Sequence, residues 1–366
     1  MLSFHTNKST TSEDSMTIAN VNDKDLTPAQ RAISIMRPPR DMSLICIDIT
    51  NRCNLSCSNC TRLLENQSEF WDMSLPNFRL AVKSLTEFPG IVAILGGNPC
   101  MHRNFEEICK IFVEEFPDKD RRGLWSNNVF KHEDLVLETF GTFNLNPHGA
   151  PKGIENLSSL YKKSGGKGVL WEEQSLHSPL LVAIKDFYGE KEMWARISQC
   201  DVNRFWSASI IENKGNLRAY FCEVAASFDL AKGTDFGIDV TFNWWKRPMA
   251  DFSAQVINFC PGCGAAARIK PTVDSDETDT YSISNRDLVR ESESKGRNLL
   301  FIEGLKDLEE NQSGRSLTEY NQAHLESKSF GIKARRALSK FLHLAIGRKK
   351  VVKLRAIVTF VSKRTP

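Results

Sequence analysis

The segment Cys53-Asn54-Leu55-Ser56-Cys57-Ser58-Asn59-Cys60 contains three cysteines in the spacing C-x3-C-x2-C. Three thiolates on one short loop can bind three corners of a four-iron cluster and leave the fourth iron free for another ligand. A zinc site closed by the protein needs four ligands, commonly supplied by two separated pairs. The alternative is that these are three unrelated thiols. The pattern favours a metal-binding loop, which we call the triad loop, and its cysteines the cysteine triad.

The triad loop follows residues 44–50, a short run rich in β-branched residues that predicts a strand. Strand and helix patterns then alternate along the chain. Amphipathic helices are predicted at 75–87 and 105–115. The predicted strands are 44–50, 91–95, 123–126, 142–145 and 180–184. Alternation of this kind indicates an α/β fold with a parallel sheet and crossover helices.

Composition places the 366-residue chain among ordinary globular proteins, with 41% hydrophobic and 25% charged residues. No apolar stretch reaches the roughly 18 residues of a membrane span, and the polar N-terminus lacks the apolar core of a signal sequence. We therefore expect a cytoplasmic protein, in which the 10 cysteines are metal ligands rather than disulfides.

Charge is distributed unevenly. Residues 333–366 contain 11 Lys or Arg and no Asp or Glu, whereas the remainder has 37 basic and 45 acidic residues, a net charge of −8. The body is therefore not predicted to bind nucleic acid. The basic tail is predicted to contact an anionic surface weakly, with a solvated tail as the alternative.

The chain divides into five predicted segments. A flexible arm comes first, with room for a short helix near 28–36, and the strand-helix region follows it. Next comes a region with a predicted β-hairpin, 206–211 and 217–221, joined by a short polar linker containing Gly215. A polar acidic connector and the basic tail end the chain. The segment bounds are 1–40, 41–195, 196–271, 272–332 and 333–366.

The triad loop and its preceding strand resemble the radical S-adenosylmethionine (radical SAM) enzymes, whose signature is often C-x3-C-x-aromatic-C. Here Asn59 stands where that family usually has an aromatic ring close to adenine. The resemblance implies a partial (β/α)6 TIM-like barrel with ligands at the carboxyl ends of its strands. It also implies that Cys53, Cys57 and Cys60 hold a catalytic four-iron cluster, whose open iron binds S-adenosylmethionine. Reductive cleavage of that cofactor gives a 5′-deoxyadenosyl radical, which abstracts hydrogen from a substrate.

Gly96-Gly97-Asn98-Pro99 follows the second predicted strand and resembles the Gly-Gly-Glu-Pro motif of the same family. Glycines allow the backbone to approach a ligand closely. Asn98 replaces the acid, and its amide oxygen is predicted to accept a hydrogen bond from the ammonium group of S-adenosylmethionine. An ordinary turn is the alternative. We call Gly96–Pro99 the glycine turn.

Small polar residues end the next two predicted strands. The resemblance implies that Ser126, Asn127 and Asn146 bind the cofactor, and His148 is a candidate proton donor or acceptor near the substrate. Loop capping is the alternative for each. Trp206, Trp244 and Trp245 are candidates for a sugar-binding pocket, with core packing as the alternative.

Four further cysteines form a second set: Cys200, Cys222, Cys260 and Cys263. One precedes the predicted hairpin, one follows it, and the last two form C-x2-C. This order resembles the twitch extension, a shortened SPASM domain built from a β-hairpin and a helix that binds an auxiliary four-iron cluster, as in aminocyclitol dehydrogenases of the family. Structural zinc and free thiols are the alternatives. Cys46 and Cys109 are predicted to be buried as small hydrophobic side chains.

The resemblance implies a radical SAM oxidoreductase of the SPASM/twitch group that oxidises a carbinol carbon of a sugar or aminocyclitol. The auxiliary cluster would accept the substrate's electron, and a flavodoxin- or ferredoxin-type protein would donate electrons to the catalytic one. The enzyme alternatives are a peptide-modifying maturase and a redox-neutral sugar epimerase or dehydratase. The non-enzyme alternative is a zinc-stabilised binding module.

Overall fold

The computed structural model describes residues 25–171, 176–267, 269–273 and 278–304. The predicted tail at 333–366 and residues 1–24 of the predicted arm lie outside these ranges. Within the described residues, the fold is mixed α/β, with a central eight-stranded sheet and two separate two-stranded sheets.

The described elements are numbered in chain order. The strands are β1 (Leu44–Thr50), β2 (Ile91–Gly96), β3 (Arg122–Ser126), β4 (Thr142–Leu145), β5 (Val169–Leu170), β6 (Leu176–His177), β7 (Ala208–Asn213), β8 (Asn216–Tyr220), β9 (Ile238–Asp239), β10 (Thr272–Val273), β11 (Thr278–Ser282) and β12 (Asn298–Ile302). The helices are α1 (Pro28–Ile35), α2 (Leu75–Ser84), α3 (Phe105–Glu115), α4 (Glu133–Thr139), α5 (Pro151–Lys163), α6 (Glu190–Ile197), α7 (Asp201–Phe205), α8 (Glu223–Lys232), α9 (Ser253–Phe259) and α10 (Arg290–Ser294).

The central sheet has the strand order β5-β4-β3-β2-β1-β7-β8-β9. Its first six strands are mutually parallel, and β8 and β9 are antiparallel to their neighbours. β1 is hydrogen-bonded on both sides, and its residues Ile45, Ile47 and Ile49 are fully buried. A strand covered on both faces favours such a continuous apolar, β-branched run. The triad loop therefore follows the end of a strand that lies inside the sheet, with a neighbouring strand on each side.

Four predicted strands are confirmed almost residue for residue at β1 to β4. The predicted hairpin is also confirmed, as β7 and β8. It does not stand apart from the first region, because β7 pairs in parallel with β1. The two cysteine-bearing regions therefore share one sheet, which is compatible with a partial barrel.

The predicted strand at 180–184 is wrong. Residues Leu180–Ile184 are buried, but apart from a single bridge to Tyr281 they form turns, and Ile184–Asp186 is a 3₁₀ turn. The backbone groups of this run bind other segments: the Leu180 carbonyl accepts the Gly264 N–H at 2.8 Å. Any buried segment needs apolar residues, whether it is a strand or a turn. Hydrophobicity alone therefore could not identify a strand here.

Two segments predicted to be loosely ordered contain structure. In the predicted arm, α1 begins with a capping box from Thr27 to Gln30 and buries Ala32 and Ile33 in the core. In the predicted connector, β11 pairs in parallel with β12, and α10 lies between them. The short helix expected near 28–36 is thus confirmed as α1, whereas the polar composition of 272–332 gave no indication of β11 and β12.

Neighbouring helices pack against each other through aromatic contacts. α2 packs against α3, where the ring centroids of Phe78 and Phe112 lie 5.9 Å apart in an edge-to-face arrangement. Cys46 in β1 and Cys109 in α3 are buried, as predicted. Among the described residues, no helix is long and apolar enough to cross a membrane.

Candidate metal and cofactor site

A cavity of about 540 Å³ opens at the carboxyl ends of the parallel strands. The cysteine triad lines it where β1 ends, and Gly96 and Gly97 line it where β2 ends. The other predicted site residues that line it are Ser126, Asn127, Asn146, His148 and Trp206, and Asn144 of β4 lines it beside them. The structure thus brings together residues separated by more than 150 positions in the sequence. Trp244 and Trp245 instead pack into the core.

The triad loop is fixed at its start by polar contacts with the segment that returns to β1. The Thr50 hydroxyl donates to Asp72 Oδ1 at 2.7 Å, and Arg52 Nε lies 3.0 Å from Asp72 Oδ2. Asn51 donates to Gln67 Oε1 at 3.0 Å and accepts the Trp71 N–H at 2.8 Å. These contacts hold the backbone of the loop before any metal is bound.

Residues 278–302, here called the C-terminal clamp, lie against the outside of the triad loop. Asp279 Oδ1 accepts the Asn59 N–H at 2.6 Å, and Asn59 Oδ1 accepts the Thr280 N–H at 3.0 Å. The Asn59 amide also donates to Thr272 Oγ1 at 2.8 Å. Asn59, whose φ is +49°, therefore directs its side chain to the C-terminal segment. An aromatic side chain could not form the bonds to Thr272 and Thr280, which is a physical reason for asparagine at this position.

An ion pair stabilises the clamp. Arg297 Nε lies 3.2 Å from Asp279 Oδ2, and each of these side chains is only 5% exposed. Arg297 also donates to the Ser56 carbonyl at 2.6 Å. On the same side, Lys295 donates to the Gln67 carbonyl at 2.8 Å. The clamp thus contacts the triad loop and the segment that anchors it.

The glycine turn packs directly on the triad loop. The Gly97 N–H donates to the Thr50 carbonyl at 2.8 Å, and the Asn98 N–H donates to the Arg52 carbonyl at 2.6 Å. A Cβ atom on Gly97 would lie 2.3 Å from the Arg52 carbonyl oxygen. The close approach that requires glycine here is therefore one between two backbone segments.

The Asn98 amide oxygen does not face the cavity in this structure, and its bond to the cofactor stays a prediction. Asn98 is fully buried and does not line the cavity. Its Oδ1 accepts the Cys100 N–H at 3.0 Å and lies 3.1 Å from the Ser126 hydroxyl. This oxygen faces inward, beneath the site, because two donors from neighbouring residues hold it there.

The other predicted cofactor residues lie at the cavity wall. Asn127 Nδ2 lies 3.4 Å from Cys53 Sγ, so one predicted cofactor ligand contacts one predicted metal ligand. Asn146 Oδ1 accepts the His148 N–H at 3.0 Å, which caps the loop after β4. His148 has a φ of +50°, a conformation uncommon outside glycine. The side chain of His148 thereby lines the cavity from a turn.

His177 was not predicted as a site residue, yet it lines the cavity beside His148, with ring centroids 5.5 Å apart. Its Nδ1 lies 2.8 Å from the Ser58 carbonyl oxygen in the triad loop. Because a carbonyl only accepts, Nδ1 carries the proton, and Nε2 of the neutral ring is a proton acceptor. No local motif marks His177, since its position depends on the contact with the triad loop.

Arg62 and Glu223 form a second unpredicted feature of the cavity wall. Arg62 Nη2 lies 2.7 Å from Glu223 Oε1, and Arg62 Nη1 lies 3.4 Å from Asp48 Oδ2. Burial raises the pKa of Asp48 to about 6, although Arg62 opposes that rise. Burial would lower the pKa of Arg62, but Glu223 and Asp48 together hold it above its ordinary value. The three charges form one buried network.

The second cysteine set lines a small, mainly apolar cavity of about 30 Å³ beneath α8 and α9. Burial, with a further contribution from Cys200, raises the pKa of the Cys222 thiol to about 12. Burial and neighbouring thiols raise the pKa values of Cys260 and Cys263 as well. Among the described residues, no group of three His, Cys, Asp or Glu side chains is arranged to hold a metal ion.

Both cysteine sets suit iron–sulfur ligation by donor chemistry. Burial raises the pKa of Cys53 and raises that of Cys60 to about 11, so these thiols are protonated when no metal compensates their charge. Iron binding must therefore displace protons from sulfur. Sulfur donors around apolar or partly buried cavities fit the soft-ligand preference of iron–sulfur clusters.

No family model matches the chain, and no curated protein matches it. Among solved structures, "BtrN in complex with AdoMet and 2-DOIA" aligns at 14% identity with a TM-score of 0.39, covering 62% of this chain and 89% of BtrN. Selenomethionine BtrN in an open conformation aligns at 12% identity with a TM-score of 0.33, covering 62% and 87%. These likenesses assign neither a family nor an activity to the chain.

Proposed function

We propose that this chain is a radical SAM oxidoreductase that abstracts hydrogen from a small polar substrate, a sugar or aminocyclitol carbinol. One observation carries the proposal: the cysteine triad, the glycine turn and the polar ends of β3 and β4 line one cavity. A triad of thiolates leaves one iron of a four-iron cluster without a protein ligand. A chelating cofactor can bind there only if the cavity also offers room and polar groups beside it.

The positions of the residues indicate which group each of them would bind. The cysteine triad would hold the catalytic cluster, and the second cysteine set would hold an auxiliary one. When bound, the clusters supply an electron for cleavage of S-adenosylmethionine at the first site and an electron acceptor at the second. The side chains of Ser126, Asn127 and Asn146 would orient the cofactor from one wall, together with the Gly97 backbone.

The remaining cavity wall suits a hydroxylated substrate. Trp171 and Trp206 offer flat apolar surfaces, and Glu223 offers a hydrogen-bond acceptor. A cavity of about 540 Å³ lies in the range of small-molecule sites. Oxidation of a carbinol removes a hydrogen atom from carbon, a proton from oxygen and one electron. His177 Nε2 is the candidate acceptor for that proton, because the Ser58 carbonyl fixes its tautomer.

The first test is the metal content of anaerobically purified protein. Two four-iron clusters require about eight irons per chain and give a brown protein. Cys57→Ala should abolish reductive cleavage of S-adenosylmethionine. Cys263→Ala should retain some uncoupled cleavage but lose substrate turnover, and Cys109→Ala, in α3, should retain both. A colourless zinc protein, or 5′-deoxyadenosine formed by the Cys57 variant, would refute the proposal.

The second test identifies the substrate class. Deuterium transfer into 5′-deoxyadenosine is measured from a panel of labelled sugars, aminocyclitols and peptides. Transfer from a carbinol carbon together with ketone formation supports the oxidoreductase. Transfer only from peptides would favour a maturase, and transfer with no net oxidation would favour an epimerase or dehydratase.

A further inference from the structure

A chain of buried amides connects the glycine turn to Cys53. Asn98 Nδ2 donates to Asn127 Oδ1 at 2.6 Å, and Asn127 Nδ2 lies 3.4 Å from Cys53 Sγ. Each asparagine accepts at one end and donates at the other. The orientation of one amide therefore determines that of the next.

Backbone groups fix the direction of this chain. The Cys100 N–H, which can only donate, faces Asn98 Oδ1 at 3.0 Å. The Asn128 carbonyl, which can only accept, lies 2.9 Å from Asn98 Nδ2, and Asn54 Oδ1 lies 3.1 Å from the same nitrogen. The Asn98 amide consequently presents hydrogen to Asn127 Oδ1. This leaves the Asn127 N–H, rather than its oxygen, directed at the sulfur.

We propose that Asn98 is a positioning residue that holds the Asn127 N–H on the sulfur of Cys53 and thereby sets the reduction potential of the cluster bound there. The inference rests on the proposed function, because it takes Cys53 as an iron ligand. Hydrogen bonds to ligating sulfur are among the determinants of cluster potential. An N–H donor lowers the negative charge on sulfur, so it favours the reduced cluster and makes the potential less negative.

The same geometry explains why an acid at position 98 would act differently. A carboxylate has no hydrogen to donate to Asn127 Oδ1. The Asn127 amide would then turn over to donate to residue 98, and its oxygen would face the Cys53 sulfur. Asn98→Asp is therefore a nearly isosteric change that reverses the second amide without altering Asn127 or any cysteine.

The experiment is a redox titration of the full-length, cluster-loaded protein followed by electron paramagnetic resonance. The signal followed is the one that changes when S-adenosylmethionine is added, which separates it from the second cluster. Asn98→Asp and Asn127→Ala should both shift the potential to more negative values. Asn98→Leu, which removes the donor to Asn127 without adding a charge, should shift it in the same direction and separates the hydrogen bond from the charge of the aspartate. We expect up to about a tenfold change in the reduction equilibrium, or about 59 mV for a one-electron couple.

The matched control is Asn128→Ala. Asn128 is an equally buried neighbour whose side chain accepts the Phe130 N–H at 2.8 Å, and its backbone carbonyl is unaffected by the substitution. The reduction potential of the cluster in Asn128→Ala should equal that in the wild type. An unchanged potential in Asn98→Leu would overturn the proposal while leaving the proposed function intact. Absence of any signal sensitive to S-adenosylmethionine in the wild type would instead refute the proposed function itself.

For variants that do not retain the cluster, a measurement on the metal-free protein tests the same proposal. Solvent exchange of the Asn127 side-chain amide, followed by NMR, should be slower in Asn98→Asp than in the wild type, because the N–H moves from the sulfur of Cys53 at the cavity wall to the fully buried residue 98. Equal exchange rates would overturn the proposal. This measurement reports the orientation of the amide directly and requires no turnover.

Discussion

Arg62 Nη2 lies 2.7 Å from Glu223 Oε1 in the protein interior, and this ion pair joins the two cysteine-bearing regions. Arg62 follows Cys60 by two residues, and Glu223 directly follows Cys222. Arg62 also donates to the Glu223 carbonyl at 3.1 Å. The pair therefore fixes the position of the triad loop relative to the start of α8, which directly follows Cys222 of the second cysteine set.

Arg62→Met should strongly destabilise the protein, because it leaves Asp48 and Glu223 buried without their shared cation. Removing one partner of a buried pair costs about 3–5 kcal/mol. The measurement is the free energy of unfolding of the metal-free protein in denaturant. The double variant Arg62→Met/Glu223→Gln should recover part of the loss, since only one buried carboxylate then remains.

The control for this prediction is Arg79→Met. Arg79 lies 2.9 Å from Glu114, with side chains 39% and 59% exposed, and also pairs with Glu115, which is 18% exposed. Exposed ion pairs contribute less than about 1 kcal/mol, so this variant should unfold nearly as the wild type does. If Arg62→Met were as mild as Arg79→Met, the buried network would not link the two regions.

Arg297→Met should loosen the triad loop from outside. It removes the cation of Asp279 and the donor to the Ser56 carbonyl. Backbone amide exchange at 56–60 should accelerate by at least about tenfold, equivalent to about 1.4 kcal/mol of local stability. Arg290→Met, which breaks an ion pair exposed at the surface, is the control. Unaltered exchange in the Arg297 variant would mean that the clamp does not stabilise the loop.

Gly97→Ala should displace the glycine turn from the triad loop. The new Cβ would lie 2.3 Å from the Arg52 carbonyl oxygen, and both sides of this contact are backbone. Overpacking of this kind costs about 1–3 kcal/mol in thermal or denaturant unfolding. Gly189→Ala, where a Cβ meets nothing within 4 Å, should cost less than about 1 kcal/mol. Equal effects of the two substitutions would contradict the close approach.

Asp48→Asn should change the pH dependence of stability. The pKa of Asp48 is raised from 3.8 to about 6, so the folded protein binds this proton more tightly than the unfolded chain. Its stabilising contribution is complete below pH 3.8 and is lost as pH rises through about 6. The wild type should therefore lose up to about 3 kcal/mol relative to the variant across this window.

The measurement is denaturant unfolding of metal-free wild type and variant at several pH values between 4 and 7. Asp120→Asn is the control, because Asp120 is exposed beside Lys167 and should show no comparable loss. A wild-type stability that stayed parallel to that of Asp48→Asn would show that Asp48 titrates normally.

The sequence predicted features that depend on neighbouring residues. The spacing of the cysteine triad, the β-branched run of β1 and the hairpin around Gly215 are local patterns, and β1 to β4, β7 and β8 lie close to their predicted bounds. The strand predicted at 180–184 is wrong, because burial alone explains the hydrophobicity of this run as well as a strand does. The orientation of the Asn98 amide was not predicted, because its partners Asn127 and Ser126 lie on another segment of the chain.

The local patterns by themselves determined the two cysteine sets and the strand-helix alternation, whereas glycine at 97 is required by a contact with the distant Arg52 carbonyl. Only the tertiary structure decided which distant residues meet: Arg62 with Glu223, Asn59 with Asp279, and His177 with Ser58. Strand and turn preferences act over a few residues, whereas such pairs depend on the sheet order that places β7 beside β1. In the unfolded chain, water forms the hydrogen bonds of a charged or amide side chain. Such a side chain is paired with a specific partner only when folding buries both groups.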